Sequence, residues 1–209
     1  TPWRRRIWKW RNGSGRAPAA LDSATLRNEG QATVPLKSAH AVTVPTAIDA
    51  FCNLSEQVGK LGLDRILAPA IHYADAGVPV APRVAFDWAN DAGTLQGSAR
   101  EKYLFDGKTP TVGQIFRSPG QAEVLRRVAK EGRNAFYTGE IAEDMVSCLT
   151  AASGVHTAAD FANAASDETT PIGGTYKDIE VVEHPPNGQG ATALLMLNIL
   201  SHFDIASMD

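Results

Sequence analysis

Arg16 follows Gly13, Ser14 and Gly15. A guanidinium is planar and permanently charged, so it can clamp a carboxylate through two parallel hydrogen bonds. Glycines on either side of Ser14 let such a loop take unusual backbone angles and bring amides close to a ligand. The chemistry on offer is recognition of a small carboxylate; the plainer alternative is a surface arginine after a turn. A second cluster, Asn187, Gly188, Gln189 and Gly190, stands between a strand-like and a helix-like stretch. Its backbone amides and carboxamides could line an acyl site and stabilise developing negative charge, or the glycines could simply shape a tight strand-to-helix turn. Both readings stay open at this stage.

The remaining polar residues suggest less. His40, His72, His156, His184 and His202 show no metal-ligand spacing such as H-x-x-x-H, so no metal site is predicted. Glu140, Glu143 and Asp144 fall on a helical stretch and read as a solvated acidic face, with nothing further to suggest a paired-carboxylate glycosidase. The strand, glycine loop and helix near the C-terminal end have the order of a phosphate-binding turn. Their glycines match neither G-x-G-x-x-G nor G-x-x-x-x-G-K-[ST], and no cofactor is expected.

The elements that must position these groups can be read from periodicity. Residues 45 to 58 form a helix opened at Pro45-Thr46 and stopped at Gly59, with apolar residues at helical spacing. A second helix covers about 63 to 76, and the short connection predicts antiparallel packing of the two. Residues 79 to 118 carry several prolines and only weak helical signals near 82 to 92. Helices return at 121 to 131 and 135 to 152. A short helix near 158 to 164 has Thr157 and Asp160 in the relation of a capping box. Tyr176 to Glu183 reads as a strand and Ala191 to Phe203 as an apolar helix.

Composition narrows the class. The 209 residues carry a formal charge of −3 and are 44% hydrophobic, which fits a globular chain and excludes a whole-chain electrostatic partnership with nucleic acid. Residues 1–11 form an atypical terminus in which Arg4, Arg5, Arg6, Lys9 and Arg11 interleave with Trp3, Trp8 and Trp10. It reads as a strand or ragged terminus rather than a membrane or nucleic-acid arm. Cys52 and Cys148 read as two buried free thiols. No apolar run reaches the roughly 18 residues of a membrane span, and no signal-peptide pattern is present. The chain begins with Thr, which leaves room for an upstream segment.

Six blocks, in order, carry a resemblance: Gly15 to Ala20; Val44-Pro45-Thr46; Leu67 to Ile71; Arg133 to Ala142; Thr170 to Tyr176; and Pro185 to Gly190 leading into Leu197 to Leu200. Together they resemble the large subunit of γ-glutamyltranspeptidases over nearly everything from Asn12 onward. The Asn-Gly-Ser-Gly-Arg-Ala-Pro and Pro-Pro-Asn-Gly-Gln-Gly stretches are closest to a bacterial, cephalosporin-acylase-like branch, since glutathione enzymes usually show Pro-Pro-Pro-Ser-Ser-Gly-Gly at the second place. The resemblance implies an α+β fold, the αββα sandwich of N-terminal-nucleophile hydrolases, with residues 1–209 as part of one such domain, mainly helical layers plus some strands.

It also implies a self-cleaving precursor whose small subunit starts with the nucleophilic Thr, with the α-amine of that Thr as base. Arg16 is then expected to hold the α-carboxylate of a γ-glutamyl substrate. The Thr-Thr-His-Tyr-type segment that opens the family's small subunit has no counterpart here, and Thr1 to Lys9 do not match the start of the large subunit. This chain alone is therefore expected to be inactive and to need that small subunit as partner. Thr169-Thr170 corresponds to a structural Thr-Pro turn and is not expected to be the nucleophile. The alternatives are a non-catalytic binding or assembly module, or a cephalosporin or glutaryl amide acylase.

Overall fold

A computed structural model describes residues 10–208; most of the basic, tryptophan-rich terminus lies outside them. Strand β1 (Trp10–Asn12) leads through a glycine loop to a short helix, α1 (Ser23–Asn28), capped by the Asp22 carboxylate. Helix α2 (Ala47–Val58) starts after Thr46 and ends at Gly59, and α3 (Leu63–Ala76) continues through Pro69. Both match the periodicity, but α3 packs against α6 (Pro119–Glu131), not against α2. An Arg126–Asp75 ion pair joins the two. A short connection therefore did not make α2 and α3 packed partners, because residues 78–79 pair with 115–116 and return the chain alongside α3.

Between α3 and α6 the chain makes an excursion: β2 (Val78–Pro79), α4 (Pro82–Asp91), α5 (Ser98–Tyr103) and β3 (Ile115–Phe116). Antiparallel pairing of β2 with β3 closes its base. Aromatic rings organise the segment that periodicity left irregular: Trp88 and Tyr103 lie 5.0 and 6.0 Å from the Phe116 ring, within the range of favourable aromatic pairing.

The helical stretch expected from 135 to 152 is two helices, α7 (Asn134–Tyr137) and α8 (Glu140–Ala151), broken at Thr138-Gly139. The expected capping box is present at α9 (Ala158–Ala162), where Thr157 and Asp160 cap each other. The acidic face of α8 is exposed, and Arg127 bridges Glu123 and Glu140 at 2.9 and 2.6 Å. Cys52 is buried, but Cys148 is exposed on α8, against expectation. Val44, Tyr137, Ala142, Phe161 and Ala164 form the core, flanked by Ile48, Phe136 and Leu149. This core therefore fills the space between the start of α2 and helices α7 to α9.

After α9 come β4 (Asp167–Thr169), β5 (Ile172–Tyr176), β6 (Ile179–Glu183) and α10 (Gly190–Leu200). The strand expected from Tyr176 begins at Ile179; Tyr176 instead closes β5, and the two strands form a hairpin. β4 returns to pair antiparallel with β1, placing Asn12 opposite Asp167. α10 packs one side on the β5–β6 hairpin and leaves Leu195, Met196 and Ile199 exposed; it ends at Leu200, short of the expected Phe203, which is exposed in the turn that follows. No helix among the described residues is long and apolar enough to cross a membrane.

Candidate functional site

The loop after β1 is held from within and from outside. Asn12 Oδ1 accepts the Ser14 amide at 3.0 Å, and Thr43 Oγ1 donates to the Ser14 carbonyl at 3.2 Å. Gly15 has φ +81°, and a Cβ there would lie 1.8 Å from the Val44 carbonyl oxygen, so both the backbone angle and the close approach require glycine. The next carbonyl, that of Arg16, accepts the Val44 amide at 2.9 Å. Residues 17 to 19 then dock on α9, where Asp160 Oδ1 accepts the Ala19 amide at 2.9 Å. Burial acts to raise the Asp160 carboxyl, but the Ala19 and Thr157 donors outweigh it and hold its pKa below the ordinary value.

The Arg16 side chain therefore leaves a fixed backbone and reaches Asp167, with Nη2 3.2 Å from Oδ2. Both side chains are solvent-facing, at 82% and 56% exposure. They form part of the wall of a cavity of about 220 Å³ completed by Asn12, Gly15, Thr46, Ala165 and Asn187. A neighbouring cavity of about 520 Å³ shares Arg16, Thr46, Ala165 and Asp167 and extends to Asp160 and Asn163. The two expected site segments, at opposite ends of the sequence, thus meet at one place.

The second segment is brought in by His184. Its Nε2 lies 3.2 Å from the Arg11 carbonyl oxygen and its ring 5.1 Å from Trp10, which sets residues 185 to 190 beside β1. Asn187 lines the Arg16 cavity, and Asn187 and Gly188 line another of about 440 Å³ with Asn12, Gly13 and Phe51. Gln189 precedes α10, and its Oε1 accepts the Thr192 hydroxyl at 3.0 Å. Gly190 is buried, and a Cβ there would lie 2.4 Å from the His184 carbonyl oxygen. Asn187 and Gly188 thus face cavities, whereas Gln189 and Gly190 shape the turn.

Sequence reasoning missed the polar core behind this site. Asp49, on α2, is only 3% exposed. Its carboxylate accepts Arg133 Nε at 2.6 Å, the Ser166 amide and hydroxyl each at 2.7 Å, and Asn53 Nδ2 at 2.8 Å. Burial works to raise the Asp49 carboxyl, but the Ser166 donors and Arg133 prevail and hold it below its ordinary value. Arg133 also donates to the Ala162 and Ala164 carbonyls and lies over the Tyr137 ring. Burial pushes the Tyr137 hydroxyl up to about 12, so it stays protonated, donating to the Pro45 carbonyl at 2.8 Å. Arg11 Nη1 donates to the Ser166 carbonyl and hydroxyl at 3.2 Å. Ser166, the residue before Asp167, is thereby fixed from two sides. A signal was present: Asp49 lies one turn before the buried Cys52, and a charge on a buried helix face needs a partner. The thiol of Cys52 is itself raised by burial and by the nearby Glu56 and Asp49 carboxylates, which makes it a poor nucleophile.

Among the described residues no group of three or more His, Cys, Asp or Glu is arranged to hold a metal ion. The α+β arrangement is that of the N-terminal-nucleophile hydrolases of the transpeptidase and acylase type. It superimposes on γ-glutamyltranspeptidase from Helicobacter pylori with a TM-score of 0.86 over 95% of this chain and 59% of that one, at 20% identity. Cephalosporin acylase from Bacillus halodurans gives 0.87 over 94% of this chain and 38% of that one, at 34% identity. The family model for gamma-glutamyltranspeptidase matches residues 8–209, and the chain belongs to that family. Its relatives include the glutathione hydrolase-like YwrD proenzyme of Bacillus subtilis, 31% identical over 95% of this chain, and the acylase ACY 1 proenzyme of a Pseudomonas species, 32% identical over 81%. The chain spans 38% of the first relative's length and 31% of the second's.

Proposed function

We propose that residues 1–209 are the large-subunit portion of one γ-glutamyl transferase or hydrolase domain, which cleaves γ-glutamyl amides such as glutathione and passes the acyl group to water or an amine. The observation that carries this reading is the convergence of Arg16 and Asn187 on one cavity, beside a loop whose shape is fixed. Arg16 supplies the cation for the substrate α-carboxylate. The nucleophile comes from a partner, a small subunit beginning with Thr. The Thr hydroxyl attacks the γ-carbonyl carbon while its α-amine, which titrates near neutrality, takes the hydroxyl proton. The amide C–N bond breaks, the leaving amine carries that proton away, and water or a second amine then releases the acyl group from the ester.

In this reading Asn187 and Gly188, which line the Arg16 cavity and the one beside it, donate to the acyl oxygen. The exposed apolar side of α10 is available to be covered by the rest of the molecule. The 34% identity to a solved cephalosporin acylase favours a second reading, in which the same scaffold takes glutaryl or cephalosporin side-chain amides. The test is to assay the complete processed protein and residues 1–209 alone on γ-glutamyl and glutaryl p-nitroanilides. Release from the γ-glutamyl anilide by the complete protein only is expected. Turnover by residues 1–209 alone, or of the glutaryl anilide only, refutes the proposal.

A further inference from the structure

We infer that His184 is a positioning residue that works as a proton-dependent latch: as imidazolium it donates to two backbone carbonyls at once and holds the turn of Asn187 and Gly188 against β1. The effect on turnover rests on the γ-glutamyl reading; the latch itself does not.

Both ring nitrogens face acceptors. Nε2 lies 3.2 Å from the Arg11 carbonyl oxygen and Nδ1 3.2 Å from the Pro185 carbonyl oxygen. A carbonyl can only accept, so each contact needs an N–H on the ring. Neutral imidazole has one and turns a lone pair towards the other oxygen, whereas imidazolium has two. The Trp10 indole, with its centroid 5.1 Å from that of the imidazole, lies within the range at which a cation is attracted to an aromatic ring. Charged groups come from β1 as Arg11 and from the preceding residue as Glu183. They have opposite signs and are turned elsewhere: Arg11 Nη1 donates to Ser166, and Glu183 Oε2 lies beside Gly190. The lining that α2 gives to the cavity it shares with His184 is apolar: Ala47, Ala50, Phe51 and Leu54. The two carbonyls and the indole are therefore what the proton on His184 answers to.

The ring's position is passed on along the chain. Pro185 and Pro186 have fixed φ and restrict the residue before each of them, so little backbone freedom separates His184 from Asn187. A Cβ on Gly190 would lie 2.4 Å from the His184 carbonyl oxygen, so the start of α10 closes on the same residue. The latched form holds a proton that neutral imidazole lacks; it is favoured as pH falls and lost as pH rises. The α-amine of the partner's Thr has the opposite requirement, since it must be neutral to act as base. That amine lowers kcat in acid, whereas His184 acts on KM.

The experiment uses the complete processed protein as wild type, His184→Gln and His184→Ala, from about pH 5.5 to about pH 8.5, across the range in which histidine changes charge. It measures kcat and KM on the γ-glutamyl and glutaryl p-nitroanilides, and deuterium uptake of residues 187–193 in each variant at each pH. Nitrogen NMR of the histidine-labelled protein, with His184 identified by its absence from His184→Gln, reports the ring protons. Wild-type KM should rise about fivefold from the acid to the alkaline end, the worth of one hydrogen bond, and protection of residues 187–193 should fall with it. Both His184 nitrogens should carry protons at the acid end and one at the alkaline end. His184→Gln can donate to the Arg11 carbonyl but gains no proton, so its KM should stay near the alkaline wild-type value at every pH. His184→Ala should have a higher KM throughout. A wild-type KM that tracks His184→Gln at every pH, or protection of residues 187–193 that differs from that variant by the same margin throughout, overturns the inference and leaves the reaction intact. Protection that depends on pH through His184 in a protein that cleaves no γ-glutamyl anilide upholds the latch and overturns the reaction.

Discussion

Asp49→Asn tests whether the buried network holds the site. The substitution keeps the volume but exchanges one acceptor oxygen for a donor, while Arg133, Ser166 and Asn53 all approach as donors. However the new amide turns, a donor meets a donor. Removing one partner of a buried ion pair costs about 3–5 kcal/mol. The Arg133 side chain is 30% exposed, so water can take up part of its charge and the lower end, about 3 kcal/mol, is expected. At this chain length that lowers Tm by roughly 6–12 °C, and by proportionately less in a longer complete protein, whose melting entropy is larger.

Arg133→Met should cost less, about 2 kcal/mol, because Ser166 and Asn53 still satisfy the carboxylate. The double variant should lose less than the sum of the two, with a coupling of at least about 0.5 kcal/mol. The effect also depends on pH. The folded Asp49 carboxyl lies below the ordinary aspartate value of 3.8, so its contribution is present above that value and is lost as pH falls through the folded pKa. The gap in Tm between wild type and Asp49→Asn should therefore be full near neutrality and narrow below about pH 3.8. Thermal scans of the complete protein from pH 7 down to the acid limb read both effects. Single variants within about 1 °C of wild type, strictly additive losses, or a gap that widens in acid would refute the argument.

Two further outcomes are expected. Gly15→Ala forces a left-handed backbone angle, costing about 1–2 kcal/mol, and sets a methyl against the Val44 carbonyl; it should lower Tm and raise KM for γ-glutamyl anilide, and an unchanged KM would show that Arg16 tolerates displacement of its loop. Residues 1–209 alone should bind a hydrophobic dye and self-associate through α10, and Leu195→Glu with Ile199→Lys should reduce both; a chain that stays monomeric and dye-free at high concentration would show that this face needs no cover.

Much of the architecture follows from local rules that one sequence displays. Amphipathic spacing and glycine stops mark α2, α3 and α6, and the Thr157–Asp160 box marks α9, because capping and helical periodicity are settled within a few residues. Arg16 and Asn187 could be nominated for the same reason: glycine-flanked polar residues are unusual enough to be noticed where they stand. Their meeting in one cavity could not be read from spacing. It depends on β1 pairing with β4 and on His184 reaching the Arg11 carbonyl, contacts between the two ends of the chain. The same limit explains the misplaced partner of α3 and the exposure of Cys148, each decided by which distant surface was available to pack; the break at Thr138-Gly139 is instead local, with Gly139 at φ +68°, and the helical periodicity on either side concealed it. Asp49, Arg133 and Ser166 show it most clearly. Each is an ordinary polar residue in its own segment, and only the folded core, by removing water and closing the three segments together, turns them into one buried network behind Asp167.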